Sequence, residues 1–281
     1  MINQDFHYSY PNVISYTHNS LQPSRTAHRS YCSESHRMVE LMLIVQGKMS
    51  YLIDGVEFTA EAGDMVVINE GEFHSSHASH LTFCEKLILH FATTYIPTFN
   101  TVNTLNAFTN AAMYQHVIPK EFVHKTKILS LFKKIETMCK RDEKYKDLKL
   151  VSLIQSIVAE INIAVDAMML TKNYIIPTTV TDEPFQDAIN YINANITKDV
   201  TPSVLSEYLG MSASYLQRLF KKNMGISIHN YIQNQKMQLA LSLLRKGHPA
   251  KLVAQMVGYE YYATFYNAFK NVFGQPPSQF E

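Results

Sequence analysis

Ser214, Gln217, Arg218 and Lys221, with Lys222 beside them, recur at helical spacing in SASYLQRLFKK, opposite Leu216, Leu219 and Phe220. On a helix laid in a major groove, a guanidinium bonds bidentately to guanine and a carboxamide to adenine. Lysines there neutralise phosphates without reading sequence. A polar helix face with basic residues is more often simply solvated, so this chemistry needs a second observation. A repeat supplies it. LSEYLGMSASYLQRLFKKNMG, from Leu205, aligns with VAQMVGYEYYATFYNAFKNVFG, from Val253, with a one-residue offset in the turn. Leu216 falls on Phe265, Phe220 on Phe269, Lys221 on Lys270 and Gly225 on Gly274. Duplication in one frame with the same core positions marks a structural unit.

The elements that must position these residues are legible around them. Pro202 after Thr201 opens a first helix, Gly210 ends it where positive φ is free of strain, and Ser212 is a good N-cap for the second. Each copy therefore reads as a helix-turn-helix. Between the copies, SIHNYIQNQKMQLALSLLRKG reads as one long helix with Ile228, Ile232, Leu239, Ala240, Leu243 and Leu244 inward, ended by Gly247. About 20 helical residues span roughly 30 Å, close to one turn of B-DNA at about 34 Å. Two such units can enter successive major grooves on one side of a duplex.

This region resembles the AraC/XylS group of bacterial regulators. The resemblance rests on Ser212, Leu216, Arg218, Phe220, Lys221 and Gly225, then Tyr231, Ile232, Ala240, Leu243 and Leu244. It continues through Ala254, Val257, Gly258, Tyr259 and Phe265 to Phe269, Lys270, Gly274 and Pro277. It implies base reading by Ser214, Gln217 and Arg218 in the first unit and by Tyr262, Ala263, Tyr266 and Asn267 in the second. Lys221, Lys222 and Lys270 then hold phosphates. The chain departs from the family in having Lys236 and Glu281 where arginines are usual. Tyr261 stands where the second unit would have a polar cap. The first unit is thus expected to supply most base specificity, and the second to anchor, touch thymine methyls or read shape.

The rest of the chain reads differently. From Met38 to about Phe91, short β-branched and aromatic runs alternate with turns, among them Asp54 and Gly55, Gly63 and Asp64, and Glu70 and Gly71. This is the punctuation of a small antiparallel barrel or jelly roll. From Glu121 the period becomes helical: Ile128, Leu131, Phe132 and Ile135 share one face, and Leu150, Leu153, Ile154, Ile157, Val158 and Ile161 another. These helices either cover the barrel and each other or present an apolar stripe to a second subunit. Thr171 to Pro184 has two prolines, several threonines and no apolar period, and reads as a linker. The expected architecture is α+β and multidomain. It comprises a cupin-like antiparallel barrel over 1–120, a helical dimerisation or packing segment over 121–170, a linker over 171–183, and an all-α domain with two helix-turn-helix units over 184–281.

Glu34, His36 and Glu40 before Gly47, with Gly63, Gly71 and His74, resemble the two motifs of the cupin barrel, with Glu34 in place of the first histidine. The resemblance makes Glu34, His36, Glu40 and His74 candidates for an effector pocket. His36, Glu40 and His74 can also form a two-histidine, one-carboxylate metal triad. The plainer reading is that these histidines bond each other, the backbone or a ligand. His77, His80 and His90 read as surface or core. By family resemblance the effector is often a sugar. The implied partners are double-stranded promoter DNA, a second copy of the chain, and RNA polymerase if the output is activation.

Composition bounds these readings. Across 281 residues the net charge is +1. From Pro184 onward nine Lys and Arg face five Asp and Glu, leaving +4 there and −3 in the remainder, an asymmetry suited to one end meeting phosphates. Cys32, Cys84 and Cys139 are widely spaced and form no CxxC pair, as reduced, partly buried hydrophobes would be. No unbroken apolar run approaches the roughly 20 residues of a bilayer span. The N-terminal MINQDFHYSY lacks a secretory signal's basic head and apolar stretch, so a cytoplasmic location is expected. No catalytic triad, phosphate loop or dinucleotide fingerprint is present, and neither enzymatic activity nor a cofactor is expected. Two alternatives stay open on residues alone: a metal-dependent cupin enzyme with a DNA-binding tail, and a front domain serving only oligomerisation or protein interaction.

Overall fold

The computed structural model describes residues 6–10, 14–21, 38–53, 56–78, 83–97, 104–109, 116–171, 178–179, 183–198 and 200–280. The strands are β1 (Phe6–Tyr10), β2 (Ile14–Leu21), β3 (Val39–Gln46), β4 (Lys48–Ile53), β5 (Val56–Glu61), β6 (Met65–Ile68), β7 (His74–Ala78), β8 (Cys84–Phe91), β9 (Val117–Ile118) and β10 (Thr178–Thr179). They form a six-stranded sheet in the order β1-β2-β8-β3-β6-β9 and a four-stranded sheet in the order β10-β5-β4-β7. The expected strands between Met38 and Phe91 are all present, and β1 and β2 extend the large sheet ahead of them. Ile53 pairs with Val56 across Asp54 and Gly55, which lie outside the described residues. Thr178 and Thr179, in the segment read as a linker, pair with Phe58 and Glu57 of β5.

The large sheet is buried on both faces. Val39, Leu41 and Leu43 of β3, with Leu87, Leu89 and Phe91 of β8, join the helical core. Met42, Ile44 and Cys84 point the other way, toward Tyr51, Ile53 and Phe58 of the small sheet. That two-sided burial is why ELMLIVQ shows little polar alternation. Against the first face pack α1 (Asn106–Thr109), α2 (Lys120–Val123), α3 (Ile128–Cys139) and α4 (Lys146–Met169). The single period expected from Glu121 onward is broken at His124 to Lys127, giving α2 and α3 instead of one helix. Burial pushes the thiol of Cys84 up and that of Cys139 up to about 12, consistent with inert core cysteines; Cys32 lies outside the described residues. By length and composition α4 could cross a bilayer, with mean hydropathy 1.6. Its inner face, from Leu150 to Met168, is nonetheless buried in the core.

The C-terminal part is helical: α5 (Glu183–Ala194), α6 (Pro202–Leu209), α7 (Ala213–Met224), α8 (Ile228–Arg245), α9 (Ala250–Met256) and α10 (Tyr262–Phe273). Each copy of the repeat forms a helix pair, α6 with α7 and α9 with α10, turning at Gly210 (φ +65°) and Gly258 (φ +79°). Leu216, Leu219 and Phe220 close one core with Phe185 and Tyr231. Phe265, Phe269 and Phe273 close the other with Met237, Leu241 and Leu244. Along α8, Ile228, Ile232, Ala240 and Leu244 are buried as expected, whereas Leu239 and Leu243 are only half-buried and Tyr231, Met237 and Leu241 take inner places.

The caps differ between the pairs. Thr201 accepts from the Val204 amide and Ser212 from the Tyr215 amide, while Tyr261 makes no side-chain cap at α10. Ser212→Ala should therefore lower stability by about 1 kcal/mol, and Tyr261→Ser should raise it by up to about that amount. Urea unfolding followed by the helical signal checks this; shifts of the same sign would contradict it.

Candidate nucleic-acid interface

On α7 the apolar side is sealed by Leu216, Leu219 and Phe220, the last edge-on to Phe185 with ring centroids 5.2 Å apart. The opposite side carries Ser214, Arg218, Lys221 and Lys222 exposed and Gln217 half-buried. Lys221 Nζ donates to the Gly225 carbonyl at 3.2 Å, so one expected phosphate ligand is tethered at the end of its own helix. No acidic residue occurs in α7 or α10, so neither outer face carries negative charge that would repel an anion.

The α10 face follows the same frame with different chemistry. Tyr262, Ala263, Asn267 and Lys270 are exposed and Tyr266 is half-buried. The Tyr262 ring lies 6.0 Å from Phe265 and 6.3 Å from Tyr266, forming a small aromatic surface. Ala263 stands where α7 has Ser214, Tyr266 where it has Gln217, and Asn267 where it has Arg218. Two exposed residues were missing from the expected set: Tyr215, 40% exposed, and Thr264. They occupy equivalent positions in the repeat. A tyrosine or threonine in the first turn carries no polar signature by itself, but comparing the two copies position by position would have found both.

In the front part, Glu34 and His36 lie outside the described residues. Glu40 and His74 do meet, with Glu40 Oε2 at 3.2 Å from His74 Nε2, and the same oxygen is 3.1 Å from His90 Nε2. The Glu40 and His74 side chains are buried and that of His90 is 21% exposed. His90, expected to be mere surface or core, thus takes a place in the cluster, because Glu40 and His90 are register partners on β3 and β8. His74 Nδ1 lies 3.0 Å from the Glu72 carbonyl, to which it donates. Its Nε2 therefore bonds Glu40 only when a further proton sits between them. Among the described residues no group of three His, Cys, Asp or Glu side chains is arranged to hold a metal ion. The expected triad cannot be assembled there because His36 falls outside the described set.

A separate groove of about 690 Å³ runs between α3 and α4. Met138, Leu148 and Leu153 supply apolar lining, with Lys133, Lys134, Arg141 and Lys149 around it. Arg141 and Lys149 both pair with Glu143.

A family model described as a helix-turn-helix domain matches residues 205–281. The multiple antibiotic resistance protein MarA of Escherichia coli (strain K12) is 33% identical over 93 residues, covering 33% of this chain and 73% of MarA. The probable transcriptional regulator LumQ of Photobacterium leiognathi is 30% identical over 93 residues, covering 33% of this chain and 38% of LumQ. The match therefore spans well under half of LumQ. The solved structure of ToxT from Vibrio cholerae is alignable over 95% of this chain and 97% of its own, at 12% identity and a TM-score of 0.38, too low to carry an inference. LumQ is named as a probable transcriptional regulator, and MarA is matched at 33% identity over 73% of its own length. The chain belongs to the AraC/XylS family of transcription regulators.

Proposed function

We propose that this chain is a sequence-specific regulator whose two helix pairs are tandem helix-turn-helix units on double-stranded promoter DNA. The observation that carries this reading is the recurrence, in one frame, of an acid-free outward face on α7 and α10. On α7, Arg218 and Gln217 read base edges with Ser214 beside them, while Lys221 and Lys222 hold phosphates. Lys221 first leaves the Gly225 carbonyl. On α10, Asn267 is the one side chain able to bond a base bidentately. Ala263 and the Tyr262 and Tyr266 rings suit thymine methyls and sugar edges, and Lys270 suits a phosphate. The 18 residues of α8 span about 27 Å, which supports docking into successive grooves on one side of the duplex.

In this reading the two front sheets close as a cupin-like barrel, and Glu40, His74 and His90 offer a polar floor to a small hydroxylated effector such as a carbohydrate. Residues 1–120 sense, 121–170 pack and dimerise, 171–183 link, and 184–281 bind DNA. Ala159, Ile163 and Ala167 of α4, with Leu170 at its C-cap, form an exposed, uncharged stripe, with Ile163 59% and Leu170 83% exposed. That stripe supports pairing with a second copy. Contact with RNA polymerase follows if the output is activation, and the place of action is the cytoplasm. A second reading of the effector is favoured by the cations around the α3–α4 groove, which match an anionic small molecule better than a neutral sugar.

Arg218→Ala is expected to weaken binding to the preferred sequence by about 1 to 3 kcal/mol and to relax one base position, with a smaller loss of specificity for Asn267→Ala. Binding titrations on matched and mismatched duplexes read this, and a larger loss from Asn267→Ala would reverse the assignment. A thermal-shift screen of the full chain against sugars and small organic anions tests the effector, since a ligand at a hundred times its dissociation constant adds about 2.7 kcal/mol. A sugar shift abolished by Glu40→Ala supports the barrel; an anion shift abolished by Lys133→Glu supports the groove; no shift from either panel favours a front domain without an effector. Ile163→Asp should convert a dimer to a monomer in sedimentation velocity at micromolar concentration. An unchanged dimer would move the seam elsewhere.

A further inference from the structure

The turn between β6 and β7, from Asn69 to Phe73, is braced from within. Glu72 accepts from the Asn69 backbone amide at 2.7 Å and from its side-chain amide at 2.8 Å. Gly71 holds φ +78°. This turn reaches into the C-terminal half. Gln238 Nε2 donates to the Glu70 carbonyl and Asn234 Nδ2 to the Gly71 carbonyl, each at 2.6 Å. Arg245 Nη2 lies 3.2 Å from Glu70 Oε2, and their side chains are 15% and 5% exposed. Thr93 completes the junction: its hydroxyl donates to Glu70 Oε1 at 2.6 Å and accepts from Arg245 at 3.1 Å. Burial pulls the Arg245 guanidinium below its ordinary value, and Glu70 opposes that shift.

The contacts straddle both helix pairs. Phe73 and Leu52 pack with the core of the first pair. A Cβ on Gly71 would stand 2.8 Å from Gln238, 3.0 Å from Val272 and 3.2 Å from Phe273, so α10 of the second pair closes directly over the turn. Asn234, Gln238 and Arg245 all lie on α8, the helix joining the two pairs, and Asn234 is 4% exposed. Polar side chains on the covered side of a helix are costly unless partnered. Here the front turn supplies acceptors for the Asn234 and Gln238 amide groups and for Arg245, while Asn234 Oδ1 is buried with no partner among the described residues.

We propose that the Asn69–Phe73 turn is a spacing gauge: by gripping α8 while touching both helix pairs, it fixes the separation of α7 and α10, making Glu70 and Gly71 positioning residues that set which half-site spacing is read. This rests on the reading that both pairs engage DNA. His74, immediately after the turn, belongs to the Glu40 and His90 cluster, so whatever occupies that cluster bears on the gauge.

The test uses the full chain and starts from random DNA, with no promoter specified. Selection from a random-sequence duplex library defines the two half-sites. Affinities are then measured on duplexes whose spacer is lengthened or shortened by single base pairs. The wild type should favour one spacing over its neighbours by about tenfold. Glu70→Gln and Gln238→Ala should flatten that preference while leaving discrimination within each half-site intact, with Gln238→Ala serving should Glu70→Gln fail to fold. A folded variant with the wild-type spacing profile overturns the gauge, as does uniformly tighter binding at unchanged spacing, which would mark the turn as an inhibitory contact. If the wild type enriches no sequence, the DNA-binding reading itself falls, and that outcome is distinct from both.

Discussion

The constraint on which the molecule depends is the burial of one sheet on both of its faces. Strands β3 and β8 must satisfy helices on one side and a second sheet on the other, so alternate positions along each strand answer to different neighbours. A register slip of one residue would exchange those sets and carry Lys86 and Glu40 toward the helical core. The pairing is therefore strongly specified, and Glu40 and His90 are brought side by side as a result. The same rigidity anchors β6, whose end presents the turn that meets α8.

Charges are treated in two ways along the chain. Arg218 sits exposed on α7, where it can exchange water for a ligand. Arg245 is enclosed with Glu70 and Thr93. Removing one member of such an enclosed pair leaves the other desolvated and costs about 3 to 5 kcal/mol, whereas replacing both by apolar groups is often neutral. An ion pair of this kind contributes little net stability but penalises misplacement heavily, a property suited to locating one domain on another.

Much of the C-terminal half was legible in the sequence because its determinants are local. Thr201, Ser212 and Gly210 announce their helix ends within a few residues, and the repeat supplies its own control by showing each core position twice. The pairing of β4 with β5 on either side of Asp54 and Gly55 was legible for the same reason. What escaped depended on distant partners. Strands β1 and β2 lie in a stretch where tyrosines, serines and histidines blur the alternation, and they become strands by pairing with each other and with β8. His90 gained its place only through the β3–β8 register. The junction of Glu70 with Arg245 joins residues 175 positions apart, beyond any window in which periodicity or capping can speak. The break between α2 and α3 carries neither proline nor glycine, so no local signal marked it.

Gly71 also bears on how such a chain can change over generations. A residue with no side chain, closed over by Gln238, Val272 and Phe273, leaves the two halves keyed to each other. Recombination that grafts the front sheets onto another family member's helices would bring a turn cut for this particular α8 and α10. The first helix pair shares Leu52 and Phe73 of the front half in its core, so the two halves are a matched set at their seam, and this regulator can change that joint only by paired substitution.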